Sequence, residues 1–314
     1  MWGAPNYRSA CEAAISVRAT PSHEEQATTT MSPVVVALVR ERAMAVRMAA
    51  AFRPASVRHV LTVQEMVAAL HELAIRVVAV LAEARDSENN PASPVLTNLI
   101  AQFPDVPFLG YCGMGVSHAE ELRELARAGV HELVFRDLDD SPALLRAKLG
   151  RGIEACAGAL VLRRLSSELP ESLQRVVAYC VSFPRESHEI DQVALALGVH
   201  RKTLVNWCRR AHAPPPSTLI TWVRLLLAVE ILQTPGHAIE RVANALEFAS
   251  GSAFRNLCRR YFGRRPAELR SPGGREAAYQ AFAIALEERE ETSAPSGRMA
   301  QPREGVMSVA AQIL

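Results

Sequence analysis

The chain has 314 residues, of which 49% are apolar and 22% charged, which excludes a collagen-like or wholly disordered protein and leads us to expect two domains with connectors. The net charge of +2 hides an asymmetry, because residues 31–140 carry 10 basic and 14 acidic side chains whereas residues 166–275 carry 15 and 9. A first half at −4 and a second half at +6 direct any polyanionic partner to the second half.

Residues 1–30 are rich in Ala, Ser and Thr without periodicity and read as a disordered extension, with Met31 as an alternative start. From Val34 onward short apolar runs alternate with helical patterns: VVVALV, RAMAVRMAAAF, HVLTV, QEMVAALHELA, VVAVLA, PVLTNLIAQF, VPFLGY, HAEELRELARAG and HELVF. Five such strands predict an α/β domain over 31–150, a doubly wound parallel sheet buried on both faces. A helix opens at Ser141 and Pro142 and continues until Pro170 interrupts it, so 151–170 reads as a helical linker. An all-α domain is expected over 171–270, and residues 271–314 read as a tail, partly helical or disordered.

Between Ile190 and Gly263 the chain nearly repeats itself. Ile190, Val193, Ala194 and Leu197 fall at helical spacing, and forty-nine residues later Ile239, Val242, Ala243 and Leu246 do the same. A few turn residues lead each into a second helix, with Leu204, Trp207, Cys208 and Ala211 as one buried face. Phe254, Leu257, Cys258 and Tyr261 form its counterpart. This is a helix-turn-helix, written twice.

At about 100° per residue, Lys202, Asn206 and Arg209 lie opposite the first apolar stripe, and Ser252, Asn256 and Arg259 opposite the second. Arg and Lys donate to guanine O6 and N7, Asn pairs bidentately with adenine, and Ser reaches a base or a phosphate, so these six are the candidate base readers. Arg201, Arg210, Arg255, Arg260, Arg264 and Arg265 flank them as candidate phosphate contacts. The nearly apolar stretch Leu219 to Leu232, broken by Arg224 and Glu230, reads as a buried helix that spaces the two units and as too short for a membrane span.

The region from Glu171 to Arg270 resembles the DNA-binding domain of the AraC/XylS family of bacterial transcription regulators. The resemblance rests on VALALGVHRKTLVNWCRRA, WVRLLLAVEILQ and VANALEFASGSAFRNLCRRYFGRRPAELR, and on the pattern Phe254, Phe262, Gly263, Pro266, Leu269, Arg270. It implies a cytoplasmic regulator bound to double-stranded DNA, acting as a homodimer in contact with RNA polymerase, with no cofactor and no membrane, and with an unnamed effector. Two departures stand out: Glu247 takes the place of the family's usual Gly before Phe248, and the run Pro214 to Pro216 replaces a Gly-containing link.

The first half resembles a response-regulator receiver in its order of elements. Such a site needs an acidic pair after the first strand, an Asp ending the third and a Lys after the fifth. Here Arg40, Glu41 and Arg42 follow the first strand, the third ends at Leu81 and Ala82, and Arg136 stands nearest the Lys position. Glu83 and Asp86 are nearby acids, which the polar loop ARDSENN explains as ordinary solvated residues. The expectation is a receiver-like domain that takes no phosphate and serves dimerisation or signal binding, the alternative being a phosphorelay regulator with Asp86 as a shifted acceptor. Two further readings are an enzyme with Cys112 as nucleophile near His118 and an adaptor that binds only proteins. The six cysteines contain no C-x-x-C pair, so no disulfide framework or zinc site is expected.

Overall fold

The computed structural model describes residues 32–73, 76–186, 189–234 and 237–293. The expected disordered extension and the last part of the expected tail, residues 294–314, lie outside them. The α/β half runs β1 (Val34–Leu38), α1 (Arg42–Ala51), β2 (Ser56–Val60), α2 (Val63–Leu73), β3 (Val77–Glu83), α3 (Ser93–Gln102), β4 (Phe108–Cys112), α4 (Ala119–Ala128) and β5 (Glu132–Phe135).

All neighbouring strands pair in parallel in the order β2-β1-β3-β4-β5. This is the flavodoxin-like doubly wound order. Strand periodicity sends alternate residues to opposite faces. Val36, Leu38, Val80 and Phe108 meet Met66, Leu70, Leu96 and Leu125 of α2, α3 and α4. Val35, Ala37, Leu81 and Tyr111 meet Met44 and Met48 of α1 on the other face.

Two strand limits differ from the sequence reading. β2 lies three residues earlier than HVLTV, because this edge strand carries the exposed or half-exposed Ser56, Val57 and Arg58 and has little apolar signal. β3 continues to Glu83, one residue beyond the expected Leu81 and Ala82.

The helical half consists of α5 (Pro142–Leu165), α6 (Glu171–Ser182), α7 (Ile190–Ala196), α8 (Arg201–Arg210), α9 (Pro216–Gln233), α10 (Ile239–Ala245), α11 (Gly251–Phe262), α12 (Pro266–Arg270) and α13 (Gly274–Ser293). The Ser141 hydroxyl accepts from the Leu144 N–H at 3.3 Å, and Pro142 needs no partner at the first helical position, which starts α5. The helix runs unbroken past residue 150, where the sequence suggested that the α/β domain ends. Leu145 joins the core under the sheet, while Ile153, Val161 and Leu165 join the core of the helical half.

α9 occupies the centre of that core. It is the one described helix long and apolar enough by length and composition to span a membrane, yet 72% of it is buried inside the protein. Its Trp222 ring meets Tyr261, Phe262 and Phe282 with centroids 4.9, 5.5 and 5.4 Å away. Phe282 belongs to α13, so the helical part of the expected tail packs on this core. Ala278 and Phe282 form a buried stripe against α9.

Candidate nucleic-acid interface

The two short helices α7 and α10 pack through Val193, Ala194, Val242 and Ala243, all buried. Each is followed by a left-handed residue, Gly198 at φ 66° and Glu247 at φ 54°. The turns close alike: the Val199 N–H donates to the Ala194 carbonyl, and the Phe248 N–H to the Ala243 carbonyl, each at 2.9 Å. Glu247 is therefore the positional equivalent of Gly198 and holds the same backbone conformation with a side chain attached. Arg224 braces that turn, donating to the carbonyls of Leu246 at 2.6 Å and Glu247 at 3.2 Å, with its guanidinium 4.8 Å from the centre of the Phe248 ring.

The second helix of each unit is capped by a side chain. His200 Nδ1 accepts from the Lys202 N–H at 3.1 Å to start α8, and Ser250 Oγ accepts from the Ala253 N–H at 3.0 Å to start α11. The buried faces are as expected at their centres: Leu204 and Cys208 in α8, Phe254 and Cys258 in α11. Trp207, Ala211, Leu257 and Tyr261 are half-buried at the margins. Pro215 caps α9 and Pro216 begins it, so the departure at 214–216 rigidifies the entry to the spacing helix.

Lys202, Asn206 and Arg209 are exposed on α8, and Ser252, Asn256 and Arg259 on α11. On α8 the exposed arc also includes Val205, which is apolar and not among the candidate base readers. An exposed apolar side chain among polar readers suits a thymine methyl. The candidate phosphate contacts differ in their freedom. Arg210, Arg260, Arg264 and Arg265 are exposed. Arg201 forms a surface ion pair with Asp191 at 3.1 Å, an interaction worth little in water. Arg255 is half-buried and paired with Glu240 of α10, which ties it to its own unit. Arg264 and Arg265 follow the left-handed Gly263 that ends α11, and the Arg265 N–H donates to Glu268 Oε2 at 2.6 Å, fixing the start of α12.

At the carboxyl ends of the strands, where a receiver does its chemistry, one carboxylate faces two guanidinium groups. Glu83 is 5% exposed and lies 3.4 Å from Arg40 Nε and 3.4 Å from Arg136 Nη2. Burial pushes its carboxyl above the usual range, opposed in part by those two arginines. The reading of Glu83 and Asp86 as solvated residues is thus corrected, since Asp86 is 1% exposed. Its carboxylate accepts from the N–H groups of Val63, Glu88 and Asn90 and from Asn90 Nδ2, at 2.8–3.2 Å. Burial alone would raise it, yet these hydrogen bonds together hold it below the ordinary carboxylate range. It staples the loop after β3. Among the described residues no group of three His, Cys, Asp or Glu side chains is placed to hold a metal ion.

Cys112, at the end of β4, is fully buried, and burial pushes its thiol up. His118 Nδ1 pairs with Glu121 at 3.1 Å. A nucleophile needs a thiolate, and burial works against forming one at the Cys112 sulfur.

Residues 193–271 match the family described as a helix-turn-helix domain. No curated protein matches the chain. Similar solved structures include full-length FixJ from B. japonicum, at 15% identity over 63% of this chain and 97% of that one, with a TM-score of 0.35. Another is the xylose-binding transcription activator XylR, at 13% identity over 77% of this chain and 70% of that one, with a TM-score of 0.31. The duplicated units on α7–α8 and α10–α11 and the strand order agree with this match: residues 193–271 form a helix-turn-helix domain, on a chain whose first half is a doubly wound parallel α/β domain.

Proposed function

We propose that this chain is a sequence-specific transcription regulator that reads duplex DNA with α8 and α11, and that its α/β domain takes no phosphoryl group and serves dimerisation or signal binding. The observation that carries the first half is the pair of exposed polar triplets, Lys202–Asn206–Arg209 and Ser252–Asn256–Arg259, on equivalent faces of the two units. A protein-binding helix would present an apolar stripe there instead. The second half is supported by Glu83, whose carboxylate is neutralised by Arg40 and Arg136 where Mg²⁺ would need a cluster of acids.

Selection of bound fragments from a genomic library by the full chain, followed by sequencing, tests the first half. It should return a motif with two boxes about ten base pairs apart, because helices in successive major grooves lie about 34 Å apart on one face. Affinity should fall steeply with salt, since phosphate neutralisation releases counterions. No enrichment, and no salt-sensitive binding even at low ionic strength, would refute it. Beryllofluoride with Mg²⁺ tests the second half: the NMR spectrum of the protein should not change, and an adduct at Glu83 or Asp86 would establish the phosphorelay alternative.

A further inference from the structure

A basic-rimmed pocket lies where the α/β domain, α5 and the second helix-turn-helix unit meet. Its volume is about 450 Å³, within the range of small-molecule sites. Phe52, Leu149 and Ile153 give it an apolar floor, and Arg53, Arg146 and Arg241 stand around it from three separate parts of the chain. All three arginines are exposed, and among the described residues no acidic side chain lines the pocket. Arg146 spends only its Nε, on the Pro142 carbonyl of its own helix at 2.9 Å, and keeps both terminal amino groups.

The second observation is Gly150, in the interior of α5 on the pocket wall. Glycine there costs the helix about 1 kcal/mol relative to alanine. A Cβ at this position would meet no atom within 4 Å, so no neighbour requires its absence. What the missing side chain leaves is open space beside three guanidinium groups.

We propose that this pocket binds a small organic carboxylate with an apolar body of roughly six to ten carbons, the charge met by the arginine fork geometry and the body laid on the floor. Arg241 belongs to α10, so occupancy bears on the second DNA-reading unit. That consequence rests on the DNA-binding reading; the binding itself does not.

Calorimetric titration of the full chain with phenylacetate and octanoate, beside neutral phenylacetamide and inorganic phosphate, tests it without DNA. At least one carboxylate should bind saturably with a Kd at or below about 1 mM, and the amide about tenfold or more weakly. Gly150→Leu, which favours the helix and fills the space, should abolish binding while the circular dichroism spectrum is retained. Arg241→Ala should weaken it about tenfold. Overturning results are no saturable binding by either acid at about 10 mM, undiminished binding by both variants, or inorganic phosphate binding as tightly as the carboxylates. With a selected DNA fragment present, the bound carboxylate should shift DNA affinity about fivefold or more, and binding without any shift would overturn the coupling. A chain that takes the carboxylate but never binds DNA refutes the DNA-binding reading and leaves the pocket established.

Discussion

Replacing Glu247 by glycine should stabilise the helical half. Glu247 sits at φ 54° in the turn before α11, where an L side chain costs about 1–2 kcal/mol. Glycine removes that strain but adds about 0.5–1 kcal/mol of backbone entropy to the unfolded chain. The net gain is therefore about 0–1.5 kcal/mol, centred near 0.75, which at a slope near 2 kcal/mol per molar moves a urea midpoint up by about 0.4 M. Tryptophan fluorescence is the suitable signal, because Trp207 and Trp222, two of the three tryptophans, stand in α8 and α9. Glu247→Ala is the decisive control. It keeps the left-handed strain and loses a carboxylate that interacts favourably with Arg185 and Arg224, so it should be no more stable than the parent. A glycine variant no more stable than the alanine variant would refute the strain argument. Both variants should bind DNA more tightly at low salt if α11 approaches a phosphate backbone, since each removes a like charge.

Arg275→Ala should cost about 3–5 kcal/mol in urea denaturation, because Arg275 lies 3.2 Å from the buried Glu230 and 3.0 Å from Asp105. Burial already holds the Glu230 carboxyl above its ordinary range, against the pull of Arg275. A group bound more tightly to its proton when folded favours the fold at low pH and loses that contribution as pH rises through the folded value. The Arg275→Ala deficit should accordingly shrink between pH 7 and pH 5, and Glu230→Gln in the same background should recover much of it. Asp86→Ala should cost on the order of 2 kcal/mol by orphaning buried N–H donors. Its carboxyl is held below the unfolded value, so the parent's advantage should be full above that value and disappear as pH falls through the folded one. Asn206→Ala and Asn256→Ala should each lose about 1–3 kcal/mol at one box of the selected motif, measured by fluorescence anisotropy on matched and mutated duplexes. Arg264→Ala should instead weaken all sequences alike and flatten the salt slope by about one unit.

The sheet and the duplicated units were legible because both rest on periodicities that burial imposes on every turn or pleat. Val34 to Val39 and Val77 to Ala82 read as doubly buried strands for that reason, and the repeated spacing from Ile190 to Leu246 needed only counting. Glu83 was misread because its ion-pair partners Arg40 and Arg136 arrive from the ends of two other strands, 43 residues before and 53 residues after it in sequence. The stripe Ala278–Phe282 was passed over because small alanines and dense charges mask a narrow contact face. Arg224 looked like an interruption of an apolar helix, and only the fold shows that it braces the turn at Glu247. Val205 could have been found by placing every residue of α8 on the wheel, since it falls between the polar readers.

Helix α5 leaves the protein without a hinge of the usual kind. Its 24 residues are anchored under the sheet by Leu145 and in the helical core by Val161 and Leu165, with no loop between the two anchors. A continuous helix couples the two anchors directly, because bending it breaks backbone hydrogen bonds that have no other partners, and Gly150, Gly152 and Gly158 are where it would yield first. Motion that begins at the sheet must reach α9 as a slide or roll of one packed helix over another, in steps of an ångström or two. Cutting the chain at residue 150 would sever this helix and strip water-shy residues bare on both pieces, so the separate halves should aggregate more readily than the whole chain.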